Sequence, residues 1–458
     1  MKQEAPVKKN ETYCMKITDI GLQGQGIGRI DGFTVFVEGG LPGETIEVLI
    51  VKVQKHMAYG KILRILEPSA FRVEPPCSIA SVCGGCQLQH LSYEKQLEWK
   101  QSLVQKNLER IGGIKGVEVL PTIGMKEPLR YRNKAQFPVG KKQEQLQIGF
   151  YANRSHRIVD TDVCLLQHPV NDEIVQIIRD FLTEYHIEPY REETQKGLVR
   201  HILTRIGKAT GEIMVCLVLN GRNLPYDKHL VERLKKIPGM TSIVLNENAE
   251  NTNVILGEKI HVLWGKPYIR DYIGPIQFEI SPLSFYQVNP EQTQVIYEKA
   301  LEFADLKGEE VVLDIYCGIG TISLFLAQKA KEVIGVEVIP QAIENARRNA
   351  EINGIKNARF FVGKAEQIIP MLYEQENMKP DVIVVDPPRK GCDVSVLNTI
   401  IKMQPQKVVY VSCDSATLAR DLSILKENGF CVKKVQPVDQ FGMTTHVECV
   451  VLMSKVQK

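Results

Sequence analysis

The sequence predicts a multidomain α/β protein: a small N-terminal β-barrel, a mixed α+β centre and a C-terminal Rossmann-like, doubly wound parallel sheet. Three observations predict it. The chain has 458 residues, too many for a single core. Residues 14–66 alternate apolar and polar positions between glycine-bearing turns, the period of short antiparallel strands. From Ser281 onward, apolar runs of strand length alternate with helical stretches.

In chain order, MKITDIGLQGQGIGRI, FTVFVEGGLPGETIEVLIVKV and AYGKILRIL supply the barrel strands. PSAFRVEPPC then brings in Pro68, Pro75 and Pro76 and reads as a linker, so the barrel domain spans 1–66. A central domain over 67–280 holds one clear helix, YEKQLEWKQSLVQKNLERI. Leu97, Val104, Leu108 and Ile111 share one of its faces, and Gly112-Gly113 ends it. GEIMVCLVLN and TSIVLNEN read as strands of the same domain, with no topology implied. The third domain, 281–458, opens with a helix whose N-cap is Asn289, with Pro290 at its first position. VVLDIY, EVIGVE, DVIVVD and KVVYVS each lead into a helix, and VKKVQPVD with HVECVVLM forms a closing antiparallel hairpin.

Composition narrows the class of function. Hydrophobic residues make up 44% and charged residues 24%, as in soluble globular proteins. MKQEAPVKKN lacks the apolar core of a signal peptide, and no run approaches the roughly 18 apolar residues of a membrane span, so a cytoplasmic protein with no membrane partner is expected. The net charge of +3 says little, but its distribution says more. Arg130, Arg132, Lys134, Lys141, Lys142, Arg154 and Arg157 face a single acid, Glu144, and are interleaved with Tyr131, Phe137, Phe150 and Tyr151. That mixture suits phosphate contact with base stacking, and it equally suits a solvated strand face.

The chemistry concentrates at the strand ends of the third domain. Asp314, Gly318 and Gly320 make a D-x-x-x-G-x-G turn between strand and helix, and Glu337 ends the next strand, placed to accept from ribose hydroxyls. A full G-x-G-x-x-G is absent, which favours a nucleoside without phosphate; this turn with its acid is the general pattern of S-adenosylmethionine methyltransferases. Asp386 opens DPPRKG, Cys413 follows KVVYVS, and Glu448 lies in HVECVV. A thiol, carboxylates and a methyl donor together suit methylation at carbon 5 of uracil. Addition of a thiolate to carbon 6 makes carbon 5 nucleophilic, and a base must later remove the carbon-5 proton. Cys413 fits the nucleophile, with local activation of the thiol expected, and Glu448 fits the base. Methylation of an amino group is disfavoured, because Arg389 stands where Asp-Pro-Pro enzymes of that kind carry an aromatic residue.

Eleven cysteines in a cytoplasmic chain do not suggest a disulfide framework. Cys77, Cys83 and Cys86 form C-x5-C-x2-C around Gly84-Gly85, and Cys164 is the nearest cysteine downstream. The pattern suits an iron–sulfur cluster or a structural zinc, and spacing does not separate them.

Taken together, these segments resemble the RNA uracil-5-methyltransferases, over nearly the whole chain. SFYQVNP resembles the family's cofactor-contacting segment and implies Gln287 as a ligand residue. LDIYCGIGT implies Tyr316 and Thr321 at the cofactor, and GVE, DPPRKG, SCD and HVEC imply Glu337, Asp386, Cys413 and Glu448 in their family roles. An asparagine expected near the adenine is replaced by Lys364 in FVGKAEQ, so that contact stays unassigned. The cysteine pattern resembles members with a [4Fe-4S] cluster, which implies Cys77, Cys83, Cys86 and Cys164 as ligands. The barrel resembles a TRAM domain, and LRYRNKAQF and VRHILTR resemble RNA-contacting segments. TRAM plus cluster implies the 23S ribosomal RNA members, with tRNA as the alternative substrate, and a monomer without an obligate protein partner.

Overall fold

The computed structural model describes residues 5–375 and 378–456. The chain forms two compact units: one takes the chain up to Trp99 with Tyr151–Arg157 and Phe441–Thr445, the other Lys100–Phe150, Ile158–Gln440 and His446 onward.

In the first unit, β1 (Thr12–Ile20), β2 (Gly26–Ile30), β3 (Phe33–Val37), β4 (Thr45–Val53) and β5 (Met57–Glu67) close a barrel in the order β1-β2-β3-β5-β4. Alternation decides its inside: Ile17, Val35, Val37, Ile46, Val48 and Ile50 are buried. One pairing departs from the antiparallel expectation, since β3 runs parallel to β5. Glu44 is fully buried and receives Arg72 Nε at 2.6 Å and Nη2 at 2.8 Å, a two-pronged contact that ties the linker to the barrel.

The second unit carries two seven-stranded sheets and a two-stranded ribbon. The helix α1 (Tyr93–Arg110) ends before Ile111, which is exposed. Val104 and Leu108 of the predicted face are buried, and Gln96 and Lys100 complete the stripe in place of Leu97 and Ile111. Lys100 is buried because its Nζ meets Asp439 Oδ1 at 2.5 Å, an ion partner that periodicity cannot show.

The central strands are β6 (Lys134–Lys142), β7 (Gln145–Tyr151) and β8 (Ile158–Asp160), then β9 (Val199–Ile206) and β10 (Ile213–Leu219), then β11 (Met240–Glu247) and β12 (Lys259–Gly265). They form one sheet in the order β12-β11-β10-β9-β6-β7-β8. Helices α2 (Val170–Glu184) and α3 (Asp227–Leu234) bury Ile174, Ile178, Phe181, Leu230 and Leu234 in its core. β9 is buried along its whole length, and Arg205 is only 2% exposed. The VRHILTR segment is therefore an interior strand, not an open RNA-contacting surface. A two-stranded ribbon, β13 (Ile269–Ile273) and β14 (Ile276–Ile280), leads into the last sheet.

There, α4 (Pro290–Ala304) starts as expected, with Asn289 Oδ1 accepting from Gln292 N. The strands are β15 (Val311–Ile315), β16 (Glu332–Glu337), β17 (Ala358–Val362), β18 (Val382–Val385), β19 (Lys407–Ser412), β20 (Phe430–Val438) and β21 (Glu448–Lys455). Their order is β17-β16-β15-β18-β19-β21-β20. Helices α5 (Thr321–Ala327), α6 (Pro340–Ile352), α7 (Ala365–Gln375), α8 (Val394–Met403) and α9 (Ser415–Glu427) connect them. The closing pair is antiparallel as expected, but β21 inserts between β19 and β20 and pairs with both.

Candidate active site

Strand order sets the site. The sheet reverses direction of growth at β15, which pairs with β16 on one side and β18 on the other. Ligands in open α/β sheets bind at such a switch point, outside the carboxyl ends of the strands. The chain leaves β15 through Tyr316–Gly320, where Tyr316, Gly318 and Gly320 have φ of 72°, 56° and 81°. Left-handed backbone suits the glycines, whereas a tyrosine there stores strain of about 1–3 kcal/mol, which often marks a functional turn. Nothing lies within 4 Å of where a Gly318 Cβ would stand.

Glu337 ends β16. Its Oε2 accepts from Gly318 N at 3.3 Å and its Oε1 from Val338 N at 2.8 Å and Ile339 N at 3.1 Å, beside two exposed apolar side chains, Val338 and Ile339. Thr321 starts α5, and its hydroxyl receives the phenol of buried Tyr297 at 2.8 Å. Gln287 is half-buried, and its carbonyl accepts from Asn133 Nδ2 at 3.0 Å. Asp314 has one oxygen bonded by Ser323 and the other, Oδ1, buried without a partner. Burial lifts its carboxyl to about 7. These open acceptors and the bare glycine turn fit a nucleoside cofactor that brings hydroxyl and amine donors.

The candidate reacting groups lie one strand further on. Ser412, the last residue of β19, pairs with Cys449 of β21, so Cys413 follows and Glu448 precedes the last registered pair of this ladder. Asp386 follows Val385, the last residue of β18, which neighbours β19. Burial, then the charge of Asp386, pushes Glu448 up to about 8, with Arg389 pulling it down. Burial also lifts Asp386 to about 7, helped by Asp314. Cys413 is half-buried, and burial, Glu448 and Asp386 together push its thiol up to about 12. The sequence led us to expect a locally activated thiol. The site does the reverse, because burial first, and then Glu448 and Asp386, outweigh the one opposing cation, Arg389.

The helix after Cys413 is firmly begun. Asp414 Oδ1 accepts from Ala416 N at 2.9 Å and Thr417 N at 3.0 Å, and Thr417 Oγ1 donates to the carbonyl of Arg389 at 3.1 Å. The DPPRKG loop and the helix after Cys413 are thus bonded to each other. Asp386 does not cap α8; Asp393 does, accepting from Ser395 N at 2.9 Å. Sequence reasoning missed Arg389 as the cation of this site, although the motif displayed it, and missed Tyr297 and Asn133, which carry no motif signal of their own.

The cysteines form no comparable site. Cys77, Cys83, Cys86 and Cys164 are half-buried, and Gly85 N donates to Cys83 Sγ at 3.4 Å. Among the described residues no three His, Cys, Asp or Glu side chains are gathered to hold a metal ion. Nor, among them, is any helix long and apolar enough to cross a membrane.

The switch-point sheet with its glycine turn and strand-end acids defines the class: a Rossmann-like methyltransferase fold. The chain belongs to the tRNA (uracil-5-)-methyltransferase family, whose model matches residues 92–456. A TRAM domain matches residues 6–63. An uncharacterized RNA methyltransferase of Halalkalibacterium halodurans is 54% identical over 453 residues, covering 99% of each chain. One from Clostridium tetani is 53% identical, covering 99% of this chain and 98% of its own. The solved tRNA (uracil-54, C5)-methyltransferase of Pyrococcus abyssi, in complex with S-adenosyl-L-homocysteine, superposes with a TM-score of 0.77 at 29% identity, over 96% of this chain and 100% of that one.

Proposed function

We propose that this chain is a cytoplasmic, monomeric S-adenosylmethionine-dependent enzyme that makes 5-methyluridine in 23S ribosomal RNA, with Cys413 as nucleophile and Glu448 as base. The reading is supported by the position of Cys413 and Glu448 at the end of the β19–β21 ladder, where Glu448 and Asp386 both act on the Cys413 thiol. Gln287, Tyr316, Thr321, Glu337 and Asp386 would hold the cofactor, which supplies an electrophilic methyl group when bound. The Cys413 thiolate adds to carbon 6 of the uracil, and the electron pair of the 5,6 double bond makes carbon 5 nucleophilic. Once carbon 5 carries its methyl group, Glu448 removes the remaining carbon-5 proton, the double bond re-forms and the thiolate leaves. Arg389 opposes the carboxylates around the thiol and favours its ionised form.

The barrel over 1–66 and the central domain over 67–280 would carry RNA to the domain at 281–458. We also propose that Cys77, Cys83, Cys86 and Cys164 hold a [4Fe-4S] cluster. Their partial burial supports this, as does the influence of Cys77 on Cys83, whose thiol burial first and then Cys77 push up. Equimolar iron and acid-labile sulfide in protein purified without oxygen would support the cluster; zinc instead would overturn it.

A second reading keeps the chemistry and takes tRNA as substrate. It is favoured by the Pyrococcus abyssi protein, whose substrate is tRNA. Transfer of labelled methyl from S-adenosylmethionine to unmodified 23S rRNA and tRNA transcripts separates the two. Label as 5-methyluridine on rRNA alone supports the first, and label on tRNA alone the second.

A further inference from the structure

The loop Ser281–Asn289, which carries Gln287, is held by the central sheet. Asn133, just before β6, donates from its backbone N to Val288 O at 2.9 Å and from Nδ2 to Gln287 O at 3.0 Å. Its own carbonyl accepts from Ile206 N at 2.8 Å. Arg205 of β9 donates through Nη2 to Pro282 O at 3.2 Å and to Ser284 O. A buried guanidinium that meets carbonyls rather than a carboxylate is expensive, and an apolar side chain would pack the strand as well. Asn133 Oδ1 and Arg205 Nε are buried without partners, a further cost at the same joint.

The other side of this joint is cationic. Lys134 pairs with Arg205 across the β6–β9 ladder. Burial, then Arg205 and Arg132, push its ammonium down to about 7. Arg130, Arg132, His168 and Lys208 line a shallow, open surface cleft that also includes Asn133, with Arg130 bonded to Asp172 Oδ2 at 3.1 Å and Lys208 lying 3.3 Å from Glu291. The stretch Arg130–Lys134 therefore meets a cleft suited to anions and, one residue away, bonds the loop that carries Gln287.

We infer that Asn133 and Arg205 are positioning residues that couple occupation of this cationic cleft by an RNA phosphate backbone to the seating of the cofactor at Gln287, so that each ligand tightens the other. The ligands are those of the proposed function. A phosphate in the cleft offsets the repulsion among Arg132, Lys134 and Arg205 and stiffens the strand from which the loop hangs. The effect must be reciprocal, because coupling is a single free energy shared by both sites.

The test is calorimetric titration of S-adenosylhomocysteine into the full chain, with and without a saturating unmodified 23S rRNA or tRNA transcript. Wild type should bind it about 5- to 50-fold more tightly with RNA present. Asn133→Ala should lose most of that gain and weaken RNA-free binding several-fold, and Arg205→Lys should lose the gain while retaining the charge. Should either variant fail to fold, hydrogen exchange on wild type gives the same answer: RNA alone should protect the backbone amides of 282–289. Independent binding of the two ligands by wild type, or full coupling in a folded Asn133→Ala, overturns the inference. If wild type binds no RNA at all, the functional reading fails, and the clamp stands or falls on the RNA-free affinity of Asn133→Ala.

Discussion

The catalytic mouth and the cysteine loop are opposites in construction. At the mouth, Asp386, Cys413 and Glu448 come from three separate strand ends, yet sheet order and register bring them together, and each is shifted by its neighbours. In the loop, Cys77, Cys83 and Cys86 lie within ten residues of sequence, yet no ligand group forms among the described residues. Closeness along a chain does not by itself fix side-chain direction. A hydrogen-bonded ladder does.

The largest effect that separates the two regions should come from paired cysteine substitutions. Cys413→Ala should lower methyl transfer at least about 10⁴-fold, as loss of a nucleophile does. Cys83→Ser should lose bound iron, and per folded molecule it should keep transfer within about tenfold of wild type. Equal losses in both variants would mean that the loop takes part in the chemistry and that the contrast is wrong.

Next in size is the base. Glu448→Gln should slow turnover about 10²- to 10⁴-fold. It should also accumulate a covalent protein–RNA adduct visible on denaturing gels. Slow turnover without adduct would move the base elsewhere.

The ion pair behind the mouth can be broken on its own. Lys100→Met leaves Asp439 buried without its cation and should cost about 3–5 kcal/mol in urea unfolding. An unchanged midpoint would mean that the segment leading to Glu448 is held by something other than this pair.

The smallest effect is in pH. Glu448 has an ordinary value of 4.5 and titrates at about 8 in the folded protein, so folding takes up a proton between these values. Its contribution to stability is complete below 4.5 and is lost as pH rises through 8, by at most about 1.4 kcal/mol per pH unit. Methyl transfer, which needs the carboxylate, should rise over the same range. Thermal melts at pH 6 and 9 should show Glu448→Gln less weakened by alkali than wild type.

The sequence displayed the βα rhythm and the strand-end residues of the last sheet, because parallel strands buried on both faces read as plain apolar runs. It did not display the insertion of β21, since two strand orders share one hydrophobic pattern. It found Val104 and Leu108 on the buried face of α1 but not Lys100 and Gln96, which are inside because distant or backbone partners satisfy them. The resemblance of VRHILTR to RNA-contacting segments did not show that Arg200, His201 and Arg205 are interior. The thiol at Cys413 was legible as a residue but not as a titration, because its state depends on charges 27 residues before it and 35 after it in the chain.

The insertion of β21 between β19 and β20 also orders events at the ribosome. β19, which leads to Cys413, is synthesised before β21, which opens with Glu448, and β20 emerges while its eventual neighbour is still missing. Until β21 arrives, the apolar edge of β19 has no partner on that side and is open to pairing with other chains. Translation that stalls before Glu448 would therefore release a chain that has Cys413 but not Glu448, with a sticky margin exposed. Quality control would meet that species as an aggregation hazard, not as a slow enzyme.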